Sequence, residues 1–287
     1  MKFTKMHGCG NDYVYVESFT QKVPNRSDVV RFLSDRNFGI GGDGVIFINP
    51  SDQADCEMEM YNADGSRSEM CGNGIRCVAK FVYDHGFVHD TQISIISMGK
   101  IKYLTLYLTD EKVPGEGQDG KVVETVMVDM GEPEIQAERV PVISKNEQAI
   151  DEAIEVDGKA YQMTCVSMGN PHAVVFVDDV AGMDLLKVGP SFEHHRVFPN
   201  RVNTEFARII DKKTIEMRVW ERGTGETLAC GTGACATAVA AILNGLTETE
   251  VTLKLRGGNL LISWDRIQNK VFMTGEAVTV FEGEIHI

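Results

Sequence analysis

Two short strings have the residue types and spacing for acid–base chemistry: Cys71-Gly72-Asn73-Gly74 and Cys230-Gly231-Thr232-Gly233. Each sets a cysteine and its Gly-x-Gly ahead of an apolar run of helical character, residues 75–85 and 234–244. The unpaired N–H groups of a helix's first turn, and its dipole, favour an anion there. A thiol of ordinary pKa about 8.5 is expected to drop by one or more units in such a place, which gives thiolate near neutrality. The flanking glycines let the backbone approach a ligand, so the same N–H groups can cradle a carboxylate or a phosphate.

The two strings belong to an internal repeat. A shift of 159 residues carries Gly10-Asn11 onto Gly169-Asn170, since 11 + 159 = 170. It carries Glu57-Met58 onto Glu216-Met217, Tyr61 onto Trp220, Cys71 onto Cys230 and Gly86 onto Gly245. One constant register over about 75 residues is not the work of chance glycines, and it predicts two homologous halves. In each, a strand-like run (56–61; 214–220) enters a polar loop, Asn62-Ala63-Asp64-Gly65-Ser66 or Glu221-Arg222-Gly223-Thr224-Gly225. The cysteine and the helix follow, and Gly86 and Gly245 stand where helix C-caps belong.

Period-two alternation over 91–96, 101–108, 122–128, 174–177 and 260–264 predicts further strands. Many strands with one long apolar helix per half imply an α+β chain, each half a curved sheet closed as a barrel around its helix. The loop 112–121 (KVPGEGQDGK) is the expected linker, dividing the chain into 1–116 with 275–287, carrying Cys71, and 117–274, carrying Cys230.

Two halves related by pseudo-twofold symmetry would bring the two helix ends together, offering one carboxylate cradle flanked by two thiols. That arrangement suits inversion of a carbon bearing an acidic proton. One thiolate removes the proton from one face while the other thiol returns one to the opposite face. Helix-end N–H groups stabilise the carbanion through the substrate carboxylate, and no cofactor is required.

Composition narrows the alternatives. With 28 Lys+Arg against 42 Asp+Glu, the net charge of −14 opposes binding to phosphate backbones or anionic lipid, so neither nucleic acid nor membrane is expected as a partner. The longest uncharged stretch, 228–246, is rich in Ala, Gly and Thr, and reads as a buried helix rather than a membrane span. Residues 1–10 lack the apolar core and cleavage site of a signal peptide. An odd set of seven cysteines fits a reducing cytoplasm.

Competing uses of these residues are weaker. Cys77, Cys235, Cys56 and Cys165 read as core residues, and His194-His195 as a surface pair. No Cys-x-x-Cys occurs, and neither His7-x-Cys9 nor Cys230-x4-Cys235 has a second ligand pair, so no metal site is expected. Gly41-Gly42-Asp43-Gly44 lacks the Lys-Ser/Thr of a phosphate loop, and Gly72-x-Gly74 lacks the third glycine of a dinucleotide fingerprint. Residues alone leave open a two-thiol racemase of another amino acid, such as proline or histidine. They also leave open a thiol redox or anion-binding protein.

The strings MHGCGNDYV (6–14), YNADGSRSEMCGNGIRC (61–77), MGNPHAV (168–174), RVNTEFA (201–207) and WERGTGETLACGTGACA (220–236) resemble those of the diaminopimelate epimerases. The resemblance runs from the first residues to the last strand. It implies a cofactor-independent isomerase that interconverts LL- and meso-diaminopimelate, on the route to lysine and peptidoglycan precursors. It also implies two pseudo-symmetric α/β halves, a C-terminal strand returning to the first half, and a homodimer. By position, Cys71 and Cys230 resemble the acid/base pair, and His172 and Glu221 the groups that assist it. Gly72, Asn73, Gly231 and Thr232 match the carboxylate cradle. Asn11, Asn62, Asn170, Asn203, Glu221 and Arg222 match the ligands of the substrate's two ends, Arg222 suiting the distal carboxylate. Gly44 stands where some relatives carry glutamine, and it offers no amide side chain.

Overall fold

In a computed structural model, the helices after the two cysteine motifs span Gly72–Asp84 and Gly231–Leu243. The structure describes residues 1–68, 72–109, 117–118 and 120–287; Cys71 lies outside the described residues, as does most of the 112–121 loop. Both helices start three residues before their apolar runs. Glycine is a poor helix former, so the sequence places the start too late, but unpaired first-turn N–H groups suit a site where a ligand is to be held. Gly86 and Gly245 end the helices in left-handed backbone, with φ of 74° and 67°.

The chain divides into two compact units, Met1–Val128 with Thr274–Ile287, and Asp129–Met273. The first contains β1 (Lys2–Gly8), β2 (Asn11–Glu17), α1 (Arg26–Ser34), β3 (Gly44–Asn49), β4 (Cys56–Asn62), α2 (Gly72–Asp84), β5 (Gln92–Ser97) and β6 (Lys100–Leu108). Strand β7 (Val123–Gly131) runs to the boundary between units. Within the second lie β8 (Glu152–Val156), β9 (Lys159–Ser167), β10 (Pro171–Phe176), α3 (Leu185–Glu193), β11 (Asn203–Asp211), β12 (Thr214–Glu221) and β13 (Gly225–Thr227). Next come α4 (Gly231–Leu243), β14 (Glu250–Leu255) and β15 (Gly258–Asp265), with β16 (Lys270–Glu276) at the boundary and β17 (Val278–Glu284) last.

The repeat holds at the level of hydrogen-bond ladders. In the first unit β1–β2 is antiparallel, β2–β3 parallel, β3–β4 antiparallel, β4–β5 parallel and β5–β6 antiparallel. The second unit repeats that series through β9–β10, β10–β11, β11–β12, β12–β14 and β14–β15. Helix bounds obey the same shift: 26 + 159 = 185 for α1 and α3, and 72 + 159 = 231 for α2 and α4. The edge position that β8 fills beside β9 is filled beside β1 by β17, paired antiparallel with it, so the last strand does return to the first unit.

Each unit is thus an α+β body whose mixed sheet is laid about one helix. Helix α2 packs on β1, β2, β5 and β6, and α4 on β9, β10, β11, β14 and β15. The closed barrel expected for each half is not formed, because the sheet remains open.

The two helices differ in chemistry. Small residues along α4 let the strands approach closely on several sides. Helix α2 is less uniformly apolar than expected, burying Arg76 and Lys80. Arg76 donates to the carbonyl of Gly72, the side chain of Asn73 and the carbonyl of Glu276. Lys80 is held by Asp84 at 2.6 Å and the Val123 carbonyl at 2.7 Å, which satisfies its buried charge. Among the described residues, no helix is long and apolar enough to cross a membrane.

Candidate active site

Cys230 is the N-cap of α4, and its sulfur accepts from the N–H of Gly233 at 3.4 Å, with the Thr232 hydroxyl at 3.5 Å. The expected lowering of its pKa does not occur. Burial pushes the thiol well above its ordinary value, and the charges of Glu221 and Glu205 push the same way. A helix N-terminus favours an anion by about 0.3–1 kcal/mol, whereas burying an ion costs several kcal/mol, so burial wins. Cys230 therefore rests as a thiol.

Three neighbouring strands bring the other groups to this end of α4. Glu221 closes β12, and its carboxylate accepts from the Thr227 hydroxyl on β13. Burial raises its pKa, and the nearby Glu205 charge adds to the rise. His172 on β10 lies in register with Asn203 on β11 and is fully buried. Its Nδ1 meets Glu205 Oε1 at 2.7 Å and its Nε2 meets Asn170 Oδ1 at 3.0 Å. Asn203 is held at both ends: its amide donates to the Pro171 carbonyl at 2.9 Å, and its oxygen accepts from the Arg222 N–H at 2.9 Å.

The Glu221–Gly225 turn is fixed from below by Glu193 at the end of α3. That carboxylate accepts from the Trp220 indole at 2.8 Å, the Gly223 N–H at 2.9 Å and Arg201 at 3.1 Å. These partners outweigh its burial and hold its pKa below the usual carboxylate range. The Arg222 guanidinium donates to the Asn200 carbonyl at 2.9 Å.

In the first unit, Asn11 donates to Asp43 at 2.7 Å, and Asp43 is itself paired with Arg36 at 2.9 Å. Asn62 ends β4 with its amide donating to Ser66 at 3.1 Å, opposite Gly44 in the ladder. A Cβ on Gly44 would stand 1.9 Å from the Tyr61 carbonyl, so this backbone excludes any side chain there. Asn73 is buried in the first turn of α2, its oxygen accepting from Arg76 at 2.9 Å.

Sequence reasoning thus collects His172, Asn170, Asn203, Glu221, Arg222, Gly231, Thr232 and Cys230 around one helix end in the second unit. Asn11, Asn62, Gly72 and Asn73 belong to the first. It missed Glu205 and Glu193. The repeat register held the signal for Glu205, because 205 − 159 = 46 sets it opposite Ile46, a charge where the other half has an aliphatic residue. Among the described residues, no group of His, Cys, Asp and Glu could hold a metal ion. Cys56, Cys77, Cys165 and Cys235 are buried, as expected of core residues.

A family model described as diaminopimelate epimerase matches residues 3–135 and 164–280. The chain belongs to the diaminopimelate epimerase family. It is an isomerase. The diaminopimelate epimerase of Agathobacter rectalis is 55% identical over 294 residues, covering 100% of both chains. That of Acetivibrio thermocellus is 53% identical over 287 residues, covering 100% of this chain and 99% of the relative. Solved structures share the fold at far lower identity. A probable proline racemase from Agrobacterium radiobacter superposes with a TM-score of 0.67 at 14% identity, covering 100% of this chain and 93% of that one. A phenazine biosynthesis protein of the PhzF family from Bacillus anthracis gives 0.66 at 15%, covering 100% and 99%.

Proposed function

We propose that this epimerase inverts one α-carbon of 2,6-diaminopimelate with two thiols and no cofactor. The reaction is interconversion of the LL and meso forms, serving lysine and peptidoglycan-precursor synthesis. Each half of the repeat contributes one cysteine. In one direction Cys71 takes the α-proton as thiolate while Cys230 gives its S–H proton to the opposite face. The reverse direction exchanges the roles, so no proton is gained or lost overall.

The observation that carries this reading is Cys230 at the cap of α4, a buried thiol beside a carboxylate that can take its proton. Glu221 serves as its proton acceptor when Cys230 must act as the base, and His172 assists. The first-turn N–H groups at Gly72, Asn73, Gly231 and Thr232 hold the carboxylate next to the reacting carbon, where negative charge develops. Asn11, Asn62, Asn170, Asn203, Glu221 and Arg222 bind the polar groups at the two ends, Arg222 taking the distal carboxylate. A site built this way rejects proline and histidine, because its buried polar groups would be left unpaired at about 1–3 kcal/mol each.

Incubation of the protein with LL-diaminopimelate, proline and histidine, followed by chiral chromatography, tests the substrate. Formation of the meso isomer with no racemisation of the other two supports the reading. Comparable turnover of proline would move it to another two-thiol racemase. The protein acts in the cytoplasm, a compartment that its odd set of seven cysteines suits. It works as a homodimer, for which the exposed Val280 and Phe281 of β17 offer apolar surface.

A further inference from the structure

Glu205 is the unused group of the site. It is fully buried, its Oε1 bonds His172, and its Oε2 has no hydrogen-bond partner. It lies against the first turn of α4, where a Cβ on Gly233 would stand 2.5 Å from Oε1. Such a charge is expensive to bury, and the architecture does not call for it. The equivalent positions in the first repeat, 172 − 159 = 13 and 205 − 159 = 46, are Tyr13 and Ile46, both buried on the same pair of strands. At these two positions one half carries a tyrosine and an isoleucine; the other carries an imidazole and an acid.

We propose that Glu205 is a positioning residue for proton transfer at Cys230, acting through His172 and through the negative charge it sets beside the first turn of α4. This rests on the two-thiol reading above and deepens it. Two effects follow from the geometry. The chain Glu205–His172–Asn170 fixes the imidazole ring through Nδ1 and, through Nε2, the amide of Asn170, which faces substrate in that reading. The groups that act on the Cys230 sulfur are Glu221 from β12, Glu205 from β11, and the Thr232 hydroxyl and Gly233 N–H from α4. His172 from β10 adds its influence at Glu221. Two of these are carboxylates, and both oppose ionisation of the thiol. Glu205 thereby keeps Cys230 charged with its proton until a cationic or hydrogen-bonding substrate group compensates.

The test is the pH dependence of Cys230 alkylation by iodoacetamide, read by peptide mass mapping so that each cysteine is followed separately. In Glu205→Gln, which keeps the shape and the bond to His172, the alkylation midpoint of Cys230 should fall by about one pH unit, a tenfold gain in thiolate at fixed pH. In Glu205→Asp, which keeps the charge, it should stay near the native value. A residue that only fills space would change thermal stability and leave the midpoint alone. If Glu205→Gln does not fold, the pair His172→Tyr with Glu205→Ile copies the first repeat's Tyr13 and Ile46 and should show the same fall. An unchanged midpoint in either folded variant overturns the proposal. Alkylation needs no turnover, so the two failures are read apart: an unchanged midpoint in an active protein overturns this proposal alone, whereas a shifted midpoint in a protein inactive on diaminopimelate overturns the two-thiol reading, and with it the role in proton transfer.

Discussion

Glu205 and Gly233 occupy one site between them: Oε1 of the carboxylate sits 2.5 Å from where a Cβ on Gly233 would stand. Gly233, the fourth residue of the Cys-Gly-x-Gly motif, is therefore a position where any Cβ would collide with that carboxylate. It admits a buried carboxylate to the first turn of a helix, beside the Cys230 sulfur.

Gly233→Ala should displace that carboxylate and disturb the sulfur. Overpacking costs about 1–3 kcal/mol, so a lower denaturation midpoint is expected together with loss of epimerisation. An alanine variant with native turnover and native stability would show that the carboxylate has room to move.

Glu193→Gln should loosen the Glu221–Gly225 turn without touching the thiols. KM for diaminopimelate is expected to rise more than kcat falls. The Glu193 carboxyl is held below the ordinary value near 4.3, so its contribution to stability is present above that pH. It is lost as pH falls through the lower, folded-state value. Thermal melts of the two proteins should therefore differ at pH 7 and converge in acid; a constant difference would refute the ion-pairing role.

Much of this was readable in the residues, and the failures have physical causes. One register of 159 residues anticipated both helices, the strands about them and both cap glycines, because repeats preserve spacing where packing must be preserved. Helix starts were placed three residues late, since Gly72 and Gly231 carry little helical propensity and gain their place from tertiary packing. The acidity of Cys230 came out with the wrong sign because the N-cap is local and visible in sequence, whereas burial is not. Return of β17 to β1 was implied by family resemblance; nothing in a lone strand names its partner. Gly44 proved closed to any side chain by the Tyr61 carbonyl, a long-range contact that no spacing reveals.

Glu221→Gln should reduce turnover by about 10²–10⁴-fold, the usual worth of a positioned acid–base group. Stability should move the other way. Burial raises the Glu221 pKa, so the native protein is favoured below the ordinary value near 4.3 and loses that advantage as pH rises through the folded-state value. Relative to native, the glutamine variant should therefore melt at progressively higher temperature as pH is raised from 4 to 8. Parallel melting curves at all pH values would argue that Glu221 is not strained by burial.

On the two-thiol proposal, two different groups handle the proton on opposite faces of one carbon. In heavy water, starting from pure LL-diaminopimelate, the first meso product should carry deuterium at the inverted centre, because the returned proton comes from a thiol that has exchanged with solvent. Unreacted substrate should stay largely protiated over the same turnovers. Cys71→Ala and Cys230→Ala should each abolish inversion, and serine at either position should do nearly as badly, since a hydroxyl cannot supply the anion near neutral pH. Early product that retains the original proton, label that enters substrate and product equally from the first turnovers, or inversion that survives either alanine change would contradict the account.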